Sequence, residues 1–593
     1  MQRTAGPTPS VAVPPSGIGR GRAQPKGRTP SPAARERVAQ ACAGLAARRD
    51  LLIEHLHRLQ DALGGLTRDD MAAVAERLRL SQAEVYEVAT FYHHFRVLDD
   101  GAVPPRVTVR VCTSLPCALA GGEALLARVR QALRGDDTVA VEAAPCMGQC
   151  HQAPAACVGQ RQMAPATDEA VVACARSGPS TPRALPASGA PPQPHDYAQL
   201  ERLLAGELTP AAVLRELQAS DLRGLGGAGF PAWRKWATVA GQPGPREGVV
   251  NIDEGEVGTF KDWHLLAHDP RPALEGMLIA AAVVGVQRLW IYVRDEYHDV
   301  RALLRDELAA LQARLAAWQQ RYPAAFGDTT AIDPGRAQRP LLPPGGPVIE
   351  LRRGAGAYIC GEESALIESL EGKRGLPRLR PPITAVQGVF GRPTLAHNVE
   401  TLWWLPTLLR DGGAAWATAG VRGRHGWRRY SVSGRVQRPG CYLLPAGSTL
   451  RELIDAAGGM ADGHRLYAFL PGGASGGILP ASLADVPLDF DTLAEHGAFV
   501  GSMAVVVLSE ADRARDAALS LLRFFEHESC GQCTPCRAGT RQAVALMQQP
   551  VWDGARLDDL AQAMRDASIC GLGQAAPNPF GSVLRYFPHE VSP

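Results

Sequence analysis

The sequence lacks any large excess of one charge. Lys and Arg number 62 against 60 Asp and Glu in 593 residues, a formal net charge of +2. No single-sign field of the kind that draws a protein onto nucleic acid or an anionic membrane is expected. The sequence also lacks a long apolar run. "GMLIAAAVVGVQRLWIYVRDE" is broken by Gln287 and Arg288 after about a dozen residues, short of the roughly 20 that a spanning helix needs. A buried helix followed by a buried strand is the expectation there, and no membrane insertion. The first 34 residues contain no acid and no apolar h-region, so they do not read as a secretory signal. Acid-poor, Arg-bearing stretches occur in mitochondrial transit peptides, but the prolines here would break an amphipathic helix. A disordered arm over 1–34 is expected. No internal period points to a solenoid.

Cysteine is scarce, and its distribution is uneven. Eight of the 13 fall into two tight groups. An odd count in a long chain does not suit the disulfide framework of a small secreted domain. Clustered cysteines in an intracellular-looking chain more often bind metal. Cys42, Cys157, Cys174, Cys360 and Cys441 lie outside the groups and read as small hydrophobes. The apolar fraction of 46% is ordinary for globular protein. At roughly 100–200 residues per domain, three to five domains are expected.

Residues 35–100 read as a helical lead, with Thr67 or Asp69 capping one helix and Ser81 with Glu84 forming a capping box on the next. "PPRVTVRVC" and "TVAVEAAPC" alternate like strands that end at cysteines, with the amphipathic "EALLARVRQAL" between them. A small α/β domain over 101–180 follows, then a Pro/Ser/Ala-rich linker over 181–196. A larger α/β region runs over 197–425, with buried strands "GVVNID" and "RLWIYV". Residues 426–511 read as strands around one helix, a compact half-barrel, and 512–593 as helical.

Five stretches carry chemistry. Cys530, Cys533 and Cys536 in "HESCGQCTPCRAGT" recur every third residue. Three thiolates so spaced can converge on one centre, and Cys570, the only cysteine downstream, can supply a fourth. A [4Fe–4S] cubane takes four such ligands; zinc accepts four as well but favours two separated pairs. Cys112 and Cys117, with Cys146 and Cys150, form two pairs that suit a two-iron cluster, one pair per iron, with zinc as the alternative. "LRGLGGAGFPAWRKW" contains Gly224-x-Gly226-x-x-Gly229, but "AAVLRELQASDL" before it is helical, which argues against a Rossmann fold. Its glycines still let backbone N–H groups approach a phosphate or a flat ring, and Lys235 adds charge; a plain structural turn is the bland alternative. "NIDEGEVGTFKD" gathers Asn251, Asp253, Glu254 and Glu256 at a strand end, suited to sugar hydroxyls or simply to solvent. "RGAGAYICGEESALIESLEG" leads a Gly-rich turn into Glu362, Glu363 and Ser364 at a helix start, and "HNVETL" adds Asn398 and Thr401.

In this order the motifs resemble the NADH-oxidising flavoprotein of respiratory complex I and its relatives, over about residues 200–590. The N-terminal third resembles complex I's separate thioredoxin-like [2Fe–2S] subunit. Two such modules in one chain are similar to the flavin-bearing diaphorase subunits of bacterial soluble NAD-reducing [NiFe] hydrogenases. The flavin subunit of NAD-dependent formate dehydrogenase is the close competitor, and a non-catalytic electron-relay scaffold a more distant one. The resemblance implies a thioredoxin-like domain, a complex I-type FMN-binding α/β domain, a β-grasp domain and a C-terminal helical [4Fe–4S] domain. It implies FMN, NAD(H), [4Fe–4S] and [2Fe–2S] as cofactors, a cytoplasmic location, and partners in a hetero-oligomer: an iron–sulfur relay subunit and hydrogenase subunits. No nickel-type cysteine set is present, so hydrogen activation would belong to another chain.

By the same resemblance, Gly224, Gly226, Lys235, Asn251, Asp253, Tyr358, Gly361, Glu362, Asn398 and Thr401 would hold FMN. Gly227, Phe230, Glu256 and Glu363 would face the nicotinamide nucleotide, and Gly229 and Glu254 complete the cofactor-binding motifs. Glu363 and Glu256 are the carboxylates expected at the reacting centre, Glu363 tuning its electrostatics. The hydride step itself needs no side-chain acid or base. Leu225 stands where the family often has Arg, and His397 where it often has Asn. Thr238 and Ile383 stand where aromatic residues would sandwich adenine.

Overall fold

The computed structural model describes residues 27–178, 185, 195–329 and 340–592. Most of the expected arm and linker lies outside these residues. The part of the arm that is described corrects the expectation. Arg28 reaches Asp100 at 2.7 Å, and Ser31 caps a helix that already starts at Pro32. Its hydroxyl is in turn held by Asp69 at 2.6 Å, so contacts made far along the chain order this proline-rich stretch.

Helices Pro32–Ala41, Leu52–Leu63, Arg68–Leu78 and Gln82–Phe91 form the lead. Thr67 caps the third, and Ser81 with Glu84 makes a capping box on the fourth. Two short parallel strands, β1 (Leu66–Thr67) and β2 (Val97–Leu98), tie the lead's loop to its exit. The next sheet has the order β4-β3-β5-β6, from β3 (Val107–Cys112), β4 (Val139–Ala144), β5 (Ala156–Val158) and β6 (Arg161–Met163). β3 and β4 are parallel, and β5 and β6 are antiparallel additions. Alternate residues Val107, Val109 and Val111 pack with Leu125, Val129 and Val171 of the flanking helices Gly122–Ala132 and Asp168–Ser177.

The central sheet is wholly parallel. Its strands β7 (Arg246–Ile252), β8 (Val286–Val293), β9 (Val348–Arg353) and β10 (Thr394–Asn398) run in the order β10-β7-β8-β9. Leu289–Val293 of β8 are buried without a break, so that stretch reads as a continuous apolar run rather than an alternating one. The preceding helix, Arg271–Val284, is buried along nearly its whole length. At Gly276 a Cβ would meet the Leu402 carbonyl at 1.9 Å, so only glycine lets that helix lie against the short helix Val399–Trp403 after β10. From β7 the chain proceeds outward through β8 to β9, then returns to the opposite side of β7 as β10. The ends of β7 and β10 therefore flank a topological switch point, where open parallel sheets bind ligands.

A five-stranded sheet follows, in the order β12-β11-β15-β13-β14: β11 (Trp427–Gly434), β12 (Gly440–Pro445), β13 (Leu466–Leu470), β14 (Leu479–Pro480) and β15 (Ala504–Ser509). Five helices close the chain, from Ala514–Glu528 to Asn578–Tyr586. One of them, Thr534–Met547, begins before Cys536. That cysteine sits in a first helical turn, where a loop with the helix opening at "RAGT" would be the simpler reading. Pro535, at the second helical position, favours this earlier start. Leu56 and Leu59 of the lead, Trp290 of β8 and Phe525 and Met564 of the last unit share one buried cluster, so the units fold onto a common core.

Candidate active site

A cavity of about 310 Å³ opens at the switch point. Asn251 and Asn398, direct register partners at the ends of β7 and β10, both line it. Gly226, Gly227, Asp253, Glu254, Glu256, Tyr358, Gly361 and Glu362 share the wall. Gly224, Gly229, Phe230, Lys235, Glu363 and Thr401 do not. Thr401 works from behind: its hydroxyl accepts the Leu225 N–H at 2.9 Å and fixes the glycine loop. Gly224 donates to the Phe230 carbonyl and closes that loop, while Gly229, at φ +63°, leaves room for the Phe490 ring. Phe230 is 49% exposed, unusual for so large an apolar ring.

Lys235 and Glu363 form an ion pair at 3.1 Å, and Lys235 also donates to the Ala396 carbonyl at 3.1 Å. Burial pushes the Glu363 carboxyl up. Lys235 and then Arg380 more than offset it and hold it below its ordinary range. Glu256 is gripped from another unit: Ser475 donates its N–H at 2.8 Å and its hydroxyl at 3.0 Å, and the Tyr358 hydroxyl joins them. Burial still raises the Glu256 carboxyl.

Glu254, though on the cavity wall, is largely engaged within the protein. Its carboxylate accepts from Asp262 N at 2.9 Å, Trp263 N at 3.1 Å and the Tyr297 hydroxyl at 2.7 Å. It thus satisfies the free N–H groups at the start of helix Lys261–His268. Asn251 is partly committed as well, donating to the Gly361 carbonyl and accepting from Asp253 N. Glu362 caps helix Glu363–Leu370 through the N–H groups of Ser364 and Ala365.

Several wall residues escaped sequence reasoning. Lys261 and Asp262, inside the motif already noted, form a buried knot. Lys261 Nζ lies 2.7 Å from Asp262 and 2.9 Å from Glu400, and Asn398 donates to the other Asp262 oxygen. Gly472, Ser475, Phe499, Gly501 and Ser502 come from the five-stranded unit, and Gly571, Leu572 and Ala575 from the last helices. The glycine run "PGGASGG" was the available signal for Gly472 and Ser475.

The residues fit a flavin mononucleotide. Asp253 Oδ2 is buried without a hydrogen-bond partner, and burial holds its carboxyl well above the usual range. Such an orphaned group beside a cavity is matched by a ligand hydroxyl. Glycine backbone and the Asn398 amide complete the polar wall.

The C-terminal cysteines are neighbours in the fold. Cys536 feels the charges of Cys533 and Cys530, and Cys570 that of Cys530. Burial pushes the Cys536 thiol up to about 11 and the Cys570 thiol up to about 12, a cost that bound iron would remove, because thiolate is the ligand form. Gly571, next to Cys570, is itself on the cavity wall. In the N-terminal set, Cys146 Sγ lies 3.3 Å from Cys150 Sγ, and Cys112 and Cys117 are buried close by. None of the four is in a disulfide. Arg294, buried, donates to the Cys146 carbonyl at 2.7 Å and to the Glu254 carbonyl. At Gly148 a Cβ would meet the Tyr297 hydroxyl at 2.4 Å. The N-terminal cysteine loop is thereby seated directly on the cavity's acidic loop. Among the outlying cysteines, Cys42, Cys157 and Cys360 are buried, and Cys174 and Cys441 half-buried.

Fold and donor sets together define a flavin- and iron–sulfur-carrying NAD-dependent oxidoreductase. Family models agree region by region. Residues 38–177 match the thioredoxin-like [2Fe–2S] ferredoxin, 217–407 the Nuo51 FMN-binding domain, 429–479 the SLBB domain and 516–593 the NADH-ubiquinone oxidoreductase-F iron–sulfur binding region. The chain belongs to the family of NADH-quinone oxidoreductase flavoproteins. It is 37% identical to an NADH-quinone oxidoreductase subunit of Rhizobium meliloti (strain 1021) over 403 residues, 66% of this chain and 91% of that one. It is also 37% identical to the corresponding NADH-quinone oxidoreductase subunit of Aquifex aeolicus (strain VF5), over 66% of this chain and 88% of that one. A chain of the crystal structure of NAD+-reducing [NiFe]-hydrogenase in the H2-reduced state is similar over 92% of this chain and 94% of its own, at 30% identity and a TM-score of 0.77.

Proposed function

We propose that this chain is the diaphorase subunit of a hetero-oligomeric enzyme that couples NAD+ reduction to hydrogen oxidation in a partner subunit. The observation that carries this reading is the [2Fe–2S] module. It shares one chain with the flavin unit and is seated on it through Arg294 and Gly148. The likeness to a chain of an NAD+-reducing hydrogenase extends over both modules, whereas that to the Rhizobium and Aquifex proteins covers 66% of this chain.

When bound, FMN supplies the exchange between a two-electron hydride carrier and one-electron clusters. The chain's own residues bind and orient. Asp253 receives a ligand hydroxyl, the Gly226–Gly227 backbone lies along one wall, and Asn398 closes the sheet end. Glu256, fixed by Ser475 and Tyr358, faces the nucleotide. Glu363, paired with Lys235, sets the local field. Cys530, Cys533, Cys536 and Cys570 hold the [4Fe–4S] cluster beside the cavity, and Cys112, Cys117, Cys146 and Cys150 hold the [2Fe–2S] cluster. The working location is the cytoplasm; among the described residues no helix is long and apolar enough to cross a membrane.

The test is purification from the native host with partners attached, followed by metal analysis and a hydrogen-dependent NAD+ reduction assay. Nickel in the complex with hydrogen-dependent turnover is expected. Molybdenum with formate-dependent turnover would overturn the hydrogenase assignment and leave the diaphorase chemistry standing. Failure of the isolated, FMN-loaded chain to reduce ferricyanide with NADH would overturn both.

A further inference from the structure

Two groups of imidazole and carboxylate lie outside the cysteine sites, and their geometry separates them. His57 and His94 of the lead meet Asp295, just past β8. There His94 Nδ1 is 2.6 Å from Asp295, and Arg353 Nε is 2.6 Å from the other Asp295 oxygen. A guanidinium already supplies that positive charge.

His93, His527 and Glu528 differ. Glu528 Oε1 is 3.0 Å from His527 Nδ1 and 3.6 Å from His93 Nδ1. The second distance is too long for a hydrogen bond. Two ligands of one tetrahedral ion, each bound at about 2.0–2.1 Å, stand about 3.3 Å apart, between the two values observed. All three donor atoms lie within 4.8 Å of one another, and the imidazole centroids are 4.1 Å apart. Glu528 is buried, while both histidines are exposed, which leaves room for access and for a water ligand. The other Glu528 oxygen is pinned by Tyr358 N–H at 2.9 Å, the kind of outer hydrogen bond that orients a metal-binding carboxylate. Among the described residues no Lys or Arg is paired with Glu528; its ion-pair partners are the two histidines.

We propose that His93, His527 and Glu528 form a binding site for a divalent transition cation of the zinc class. Two imidazoles and one carboxylate suit Zn2+, Co2+ or Ni2+ rather than Mg2+ or Ca2+, which prefer oxygen throughout. The ion would clamp the helical lead, through His93, to the end of helix Ala514–Glu528, just ahead of the cysteine loop. This site does not depend on which partner subunit the chain serves.

The test uses the FMN- and cluster-loaded protein, dialysed against a chelator and titrated with Co2+. One equivalent is expected to bind, with visible ligand-field bands and no near-ultraviolet thiolate charge-transfer band, and to be displaced by Zn2+. Removing an outer-sphere partner costs about 10–100-fold in affinity, so His93→Ala and His527→Ala, each losing a direct ligand, are expected to lose at least about tenfold. Zn2+ should raise the thermal midpoint of the unmodified protein and not that of either variant. His93→Gln, which keeps a polar side chain, should behave as His93→Ala. Equal Co2+ affinity in all forms, thiolate charge-transfer absorption, or no binding to the unmodified protein would each overturn the proposal.

Discussion

Glu363 shows how single charges set the cavity's behaviour. Its carboxyl is held below the ordinary range because Lys235 and Arg380 outweigh burial. The stability this brings is present above the unfolded-state value, about 4.3, and is lost as pH falls through the lower folded value. Lys235→Met removes the nearer cation and raises the folded pKa. Lys235→Met is therefore expected to have a lower thermal midpoint at neutral pH and a shallower acid-side fall than the unmodified protein, measured by thermal unfolding across pH. Thr238 and Ile383 make a second case. The resemblance places aromatic rings there, whereas Thr238 turns its hydroxyl back to the Arg234 carbonyl at 2.8 Å and Ile383 is half exposed. Aromatic contacts add about 0.5–1.5 kcal/mol, so Thr238→Phe with Ile383→Phe should lower the KM for NADH by roughly two- to tenfold and leave kcat nearly unchanged. The triplet Cys530, Cys533 and Cys536 and the two N-terminal pairs could be picked out as candidate ligands because spacing within each group is a local property, whereas Cys570 could be added only as the one cysteine downstream. The role of Glu254 was not legible, because an acid at a strand end looks the same whether it faces a ligand or the next helix.

At the scale of elements, the cavity is shaped by loops that reach it from other units. Gly473 has φ +80°, and a Cβ there would stand 2.5 Å from Glu256 Cγ. Gly473→Ala is expected to displace Glu256 and to destabilise the protein by about 1–2 kcal/mol through the left-handed backbone. The readout is a raised KM for NADH with cluster content unchanged, measured beside thermal unfolding. Caps at Thr67 and Ser81 could be read from sequence because a cap is completed within three residues. Ser475 could not be placed beside Glu256. The two are separated by 219 positions, and a glycine-rich segment reads as a turn wherever it folds.

Across the whole molecule, the lead is fastened to the central sheet by charges that look solvated in the sequence. Arg352 on β9 is buried and binds Asp50 at 2.7 Å and Glu54 at 2.9 Å, both from the lead. Next to it, Arg353 binds Asp61 at 2.6 Å. Breaking a buried pair from one side leaves an unmatched charge and costs about 3–5 kcal/mol. Arg352→Met should therefore lower the thermal midpoint and speed proteolytic cleavage near residues 42–51. If the midpoint and cleavage rate stay unchanged, the lead is held by its apolar core alone. The same anchor bears on how the chain is born. Asp50 and Arg352 are 302 positions apart, and at about 5–20 residues per second of synthesis the lead leaves the ribosome some 15–60 s before its dock exists. For that interval its apolar face has no partner in the chain, which makes the nascent lead a natural client for a chaperone until β9 emerges.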